Sequence, residues 1–168
     1  SVYYDIGSNI GFHALTANRV INSGKIYAFE PMPAVREVFE KHISLNSKLI
    51  LSNNIALLPV AISDAEGQVE FSNDFDHRDG NTYVKESYVF SGTKNKITVP
   101  CQSVDGLLEQ GYEKPDIIKI DVEGFEQQVL SGLSQQVPLR SFEANLPEFL
   151  EETKACLRLL DALDNQAV

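Results

Sequence analysis

Four acids stand where short apolar runs end, each close to a residue that turns the chain. Asp5 closes Val2-Tyr3-Tyr4 and precedes the turn Gly7-Ser8-Asn9-Ile10-Gly11. Glu30 closes Lys25-Ile26-Tyr27-Ala28-Phe29 and is followed by Pro31. Asp121 closes Ile117-Ile118-Lys119-Ile120 and leads into Val122-Glu123-Gly124, while Glu143 and Asn145 end a run that starts at Pro138. A strand, a glycine-rich turn and a helix put free backbone N–H groups at a helix N-terminus, here beside the Asp5 carboxylate. A second acid about 25 residues further on suits the vicinal hydroxyls of a ribose, because one carboxylate can accept from both. Together they predict a nucleoside cofactor lying across the tips of the first two strands. A side chain at Gly7 is expected to fill space that ligand or turn needs.

Those acids need strands to carry them and helices to cover the strands. Ile10, Ala14 and Ala17 recur at helical spacing over 9–19. Val35, Val38, Phe39, His42 and Ile43 do the same in a helix that starts at the prolines Pro31 and Pro33 and runs to about Leu45. A third strand is expected within 55–62, where Pro59 calls for a bulge, an edge or a late start. Residues 68–71 and 97–99 read as short strands, and Ser103-Val104-Asp105-Gly106-Leu107-Leu108 as a capped short helix. The stretch 73–95 lacks periodicity and holds Asp76, His77, Arg78, Asp79 and the aromatics Tyr83, Tyr88 and Phe90. A loop of that length is expected to be a substrate lid or a partly disordered segment. A last helix is expected from about Pro147 to Leu163, with Phe149, Ala155, Cys156, Leu159 and Leu160 on its packing side. The alternation predicts one α/β domain over 1–168, a doubly wound and mostly parallel sheet whose strand ends bring the acids to one edge.

Length and composition agree with that class. A chain of 168 residues with 43% apolar content can bury a real core. The formal charge of −10 argues against a nucleic-acid partner, since no basic stripe is present. Cys101 and Cys156 are too few for a disulfide scaffold and read as reduced thiols, which suggests a cytoplasmic setting. No apolar run reaches the length of a membrane span.

Three blocks taken together carry a resemblance. Tyr4-Asp5-Ile6-Gly7-Ser8-Asn9-Ile10-Gly11, then Phe29-Glu30-Pro31, then Ile118-Lys119-Ile120-Asp121-Val122-Glu123-Gly124-Phe125-Glu126 resemble the FkbM-type S-adenosylmethionine-dependent methyltransferases. The first two blocks are common to class I methyltransferases; the third is the specific one, and Ser103 to Leu108 fits the same pattern. The resemblance implies a Rossmann-like sheet, here without the C-terminal strand pair of the seven-stranded class I form. It implies that Asp5 with Gly7, Ser8, Asn9 and Gly11 holds the methionine portion of S-adenosyl-L-methionine. By the same resemblance Glu30, next to Pro31, is expected to take the ribose, and either Ile62, through its backbone, or Asp64 to meet the adenine. It further implies O-methylation of a small-molecule or sugar-containing acceptor.

Within that picture Asp121, Glu123, Glu143 and His77 are the candidates for chemistry. A hydroxyl must lose its proton as it attacks a methyl group. A carboxylate with a raised pKa could take that proton, as could a divalent metal gathering several carboxylates, or His77 in the loop. Plainer roles stay open: a turn former at Asp64, a helix cap at Asp121, a cap or salt bridge at Glu123, a structural role at Glu143, a solvated loop histidine at His77. An NAD-dependent oxidoreductase is the rival enzyme, although Gly-x-x-x-Gly departs from the Gly-x-Gly-x-x-Gly fingerprint. A catalytically silent binding module of the same fold is the rival outside enzymes.

Overall fold

The structure is a computed structural model, and it describes residues 1–21, 23–51, 54–72, 96–144 and 150–165. The expected loop at 73–95, with His77, Tyr83, Tyr88 and Phe90, lies outside the described residues, as do Asn145, Pro147 and Phe149. Five parallel strands form the main sheet in the order β3-β2-β1-β7-β8: β1 Val2–Ile6, β2 Lys25–Phe29, β3 Ile55–Leu58, β7 Ile117–Ile120 and β8 Leu139–Phe142. β1 lies at the centre and is buried on both faces, which is why its sequence reads as an almost unbroken apolar run.

Alternation along the strands sorts the core into two halves. Tyr4, Ile6, Tyr27, Phe29, Ile118 and Ile120 face α3 (Val104–Glu109), α4 (Glu126–Ser131) and α5 (Leu150–Asn165), which contribute Val104, Leu107, Val129, Leu130, Cys156 and Leu163. Tyr3, Ile26 and Ala28 face the opposite way, against Ala14 of α1 (Phe12–Asn18) and Phe39 of α2 (Pro33–Leu45). Both cysteines are free and buried. Helix α2 begins at Pro33, whose missing N–H costs nothing in a first turn. Helix α3 has the expected cap, the Ser103 hydroxyl accepting from the Gly106 amide at 3.0 Å.

The expected third strand is two strands. Pro59 cannot donate to a ladder, and the chain leaves the main sheet there. β3 ends at Leu58 as the edge strand, and β4 (Ala61–Ile62) joins a second sheet of order β4-β6-β5 with β5 Gly67–Ser72 and β6 Lys96–Gln102. β4 runs parallel to β6 and β5 antiparallel to it, around a small core of Ala61, Val99 and Cys101. This break swings Ile62 toward the tips of the main sheet. Among the described residues no helix is long and apolar enough to cross a membrane.

Candidate functional site

At the carboxyl edge of the main sheet lies a cleft of ≈ 290 Å³. Its walls include Gly7, Asn9, Glu30, Pro31 and Ile62, together with Asp121, Glu123 and Glu143. Phe29, Val35 and Phe125 supply apolar surface between them. Eight residues expected at the site from sequence thus line a single cavity, because parallel strands all present their C-terminal ends on one side.

Glu30 sits just past β2 and is only 6% exposed. Its Oε2 accepts from the Asn9 amide at 3.0 Å and its Oε1 from the Met32 amide at 2.9 Å. Burial pushes its pKa up, while those two amides and Arg36 oppose the rise. Arg36 also braces the corner by donating to the carbonyls of Glu30 at 3.1 Å and Pro31 at 2.6 Å. A buried carboxylate fixed by two amides keeps one orientation and retains lone pairs for a ligand's hydroxyls.

The turn after β1 differs from the expected cradle of free amides. Gly7 and Ser8 both donate to the Phe29 carbonyl, at 3.2 and 3.1 Å, and Gly11 donates to Ser8 at 2.9 Å. With Asn9 bound to Glu30, these four N–H groups are occupied by the fold, and the turn serves as a wall tied to the end of β2. Gly7 has φ +72°, and a Cβ there would come 1.9 Å from the backbone oxygen of Asp121. The close approach of the chain just past β7 therefore demands glycine here.

Asp5, Ser8, Gly11 and Asp64 do not line the cleft. Alternation along β1 directs Asp5 to the α1 face, opposite Tyr4 and Ile6, where it is fully buried. Its two carboxylate oxygens meet no hydrogen-bond donor in good geometry, and its charge partner is the Lys119 ammonium at 3.3 Å. Burial raises the Asp5 pKa against the pull of Lys119. Ser8 is 4% exposed. Gly11 packs its open face against the Phe39 ring. Asp64 is exposed and accepts from the Ser63 hydroxyl at 3.0 Å, which suits the turn role left open for it, whereas Ile62 borders the cavity.

Asp121, Glu123 and Glu143 converge, each offering one carboxylate oxygen, and these oxygens lie within 4.8 Å of one another. Asp121 extends β7 by donating its amide to Ile6, and Glu143 does so beside it by donating to Ile120. Glu123 occupies a left-handed conformation at φ 55°, followed by Gly124 at φ 94°. This double reversal brings its side chain to Asp121 before it and Glu143 after it. Glu126, a residue whose role is not evident from sequence, holds the turn: its carboxylate accepts from the amides of Val122 and Gly124, each at 3.0 Å. An acid opening a helix directly after Gly124-Phe125 is the signal that marks it.

Burial, followed by the charges of Glu143, Asp121 and Glu126, raises the Glu123 pKa to about 7. A carboxyl raised in the folded state supports folding fully below its unfolded pKa, and that support fades as pH climbs through about 7. Glu123→Gln, melted in EDTA, should therefore match the parent near pH 4.5 and gain melting temperature progressively to about pH 8. A stability difference that does not change with pH would show that Glu123 is not held neutral by its neighbours.

A helix-flanked parallel sheet with a glycine turn after β1 and a fixed acid after β2 is the Rossmann-like architecture of a methyltransferase-type domain. The Methyltransferase FkbM domain family matches residues 5–165, and the chain belongs to that family. It is 30% identical over 142 residues to the hexuronic acid methyltransferase AglP of Haloferax volcanii, covering 84% of this chain and 53% of AglP. It is 27% identical over 159 residues to the methyltransferase sdnD of Sordaria araneosa, covering 79% of this chain and 60% of sdnD. The chain thus spans between half and two thirds of the length of these relatives. The fold is shared with the methyltransferase FkbM from Methylobacillus flagellatus at TM-score 0.53 and 16% identity, over 79% of this chain and 28% of that one. A putative rRNA-methylase from Clostridium thermocellum aligns at TM-score 0.55 and 9% identity, over 98% and 72%.

Proposed function

We propose that this domain binds S-adenosyl-L-methionine in the cleft and methylates a hydroxyl group of a small-molecule or sugar-containing acceptor. The observation that carries the reading is the buried Glu30 carboxylate, fixed by the Asn9 and Met32 amides, on the wall of the same cleft as three clustered acids. Glu30 would hold the ribose hydroxyls, Pro31, Val35 and Ile62 would flank the adenine, and Gly7 and Asn9 would border the methionine portion. When bound, the cofactor supplies an electrophilic methyl on a sulfonium, a positive centre that an acidic cleft favours.

Asp121, Glu123 and Glu143 would orient the acceptor hydroxyl and receive its proton. Glu123, with a pKa of about 7, is partly ionised at neutral pH, where a general base works best. The same three carboxylates are hard oxygen donors and could gather a divalent cation in that task. AglP's hexuronic acid supports a sugar-containing acceptor, and the net charge of −10 opposes a nucleic acid. Calorimetry with S-adenosylhomocysteine and with NAD tests the cofactor: heat of binding from the first alone is expected, and binding of NAD alone would replace this reading with the oxidoreductase one.

A further inference from the structure

The geometry points to Lys119 as a positioning residue that ties the glycine turn to the acid cluster from behind the cleft; this role rests on the methyltransferase reading above. β7 sets Lys119 in register with Asp5 of β1, and its side chain is 13% exposed. Its ammonium donates to the Gly7 carbonyl at 3.2 Å and pairs with Asp5 at 3.3 Å and Asp121 at 3.2 Å. The Gly7 contact is a hydrogen bond, and the two carboxylates add charge pairing on either side of it. Lys119 does not line the cleft, whereas Gly7 and Asp121 both do. Lys119 lines instead a neighbouring hollow that shares Asp121 and Glu143 with the cleft, so within the Glu30 cleft it acts through the two walls it joins.

The plainer role is a counter-ion for buried Asp5, which could not stay charged alone. That role needs one contact, and it leaves the Gly7 carbonyl and Asp121 unexplained. Those two groups are already in close approach, since only the absent Cβ of Gly7 lets the Asp121 backbone come so near. The lysine completes this junction by giving the turn's carbonyl and the acid's carboxylate a common donor. Loss of the ammonium then leaves the Gly7 carbonyl and the Asp121 carboxylate without their common partner, and the cofactor meets a less ordered wall.

The two roles separate once Asp5 is neutral. In an Asp5→Asn background, a pure counter-ion has nothing left to neutralise, whereas a positioning residue still has work to do at Gly7 and Asp121. S-adenosylhomocysteine is the probe, titrated calorimetrically into the parent, Asp5→Asn, Asp5→Asn/Lys119→Met and Asp5→Asn/Lys119→Arg, with thermal melts alongside. The Met double variant should bind about tenfold more weakly than Asp5→Asn, the usual weight of a charge-assisted hydrogen bond, and Arg in the same background should recover most of the loss. Equal affinities for Asp5→Asn and Asp5→Asn/Lys119→Met would overturn the positioning role. If the Met variant melts below the assay temperature, Lys119→Gln in that background takes its place: several-fold weaker binding supports the role and unchanged binding overturns it. A parent that fails to bind S-adenosylhomocysteine overturns the cofactor reading itself, and the Lys119 role with it.

Discussion

Asp121→Asn is expected to lower turnover by about 10²–10⁴, the usual worth of positioned proton transfer, with little change in affinity for S-adenosylhomocysteine. The substitution keeps the shape of the side chain and an oxygen that can still accept from Lys119, now 3.2 Å away. What it removes is the charge of one of the three carboxyl groups converging on the cleft. If those charges act on the acceptor's proton, their effect belongs to the transition state and appears in kcat, not in cofactor binding. Labelled methyl donor with a panel of hydroxylated and sugar acceptors provides the assay. EDTA on the parent then divides the mechanism. Activity lost and restored by Mg²⁺ or Mn²⁺ assigns the three carboxylates to a cation, and indifference assigns them to direct proton transfer. Near-parental turnover by Asp121→Asn would remove it from the chemistry and turn attention to Glu123 and Glu143.

Glu30→Gln should weaken S-adenosylhomocysteine binding by about tenfold to a hundredfold, because contacts to a charged group give way to neutral ones. The structure adds a second reason for a large effect. Both Glu30 oxygens are held by backbone amides, and an amide side chain must point its NH₂ at one of them, opposing either the Asn9 or the Met32 donor. The loss should thus exceed that of a free surface carboxylate and should be accompanied by a lower melting temperature. A dissociation constant equal to the parent's would mean that Glu30 only braces the corner between β2 and α2. Glu30→Asp distinguishes the two effects further, since it keeps the charge but shortens the reach to both amides.

Much of this site is legible in the chain itself, for a simple reason. In a parallel sheet, position along the strand decides which edge a residue reaches, so acids following Phe29, Ile120 and Phe142 can be assigned to one rim from their spacing. The same local logic marks the Ser103 cap, the Pro33 helix start and the glycine at position 7. Pro59 likewise announces an interruption, because a residue without an N–H cannot continue a ladder.

Other features depend on what lies across from a residue, which no local pattern contains. Asp5 reads like Glu30, an acid at a strand end before a turn. Yet Asp5 falls within β1 and its side chain faces α1, whereas Glu30 lies one residue past β2 and opens to the cleft. Asp5 pairs with Ala28 inside the sheet, where strand alternation fixes its face, whereas Glu30 stands two residues further along, beyond the last ladder pair, where the chain turns it into the cleft. The amides of the glycine turn are another case. They look free until the end of β2 is brought beside them, and then Phe29 and Glu30 accept from three of the four. Lys119 is the clearest example, since its partners Gly7 and Asp5 stand more than a hundred residues earlier in the chain. Composition, spacing and turn chemistry are properties of neighbours along the chain and determined the class of domain and the rim of its site. Which acid faces the cleft, and which lysine stands behind it, are properties of neighbours across the sheet, and only the pairing of β1 with β2 and β7 decided them.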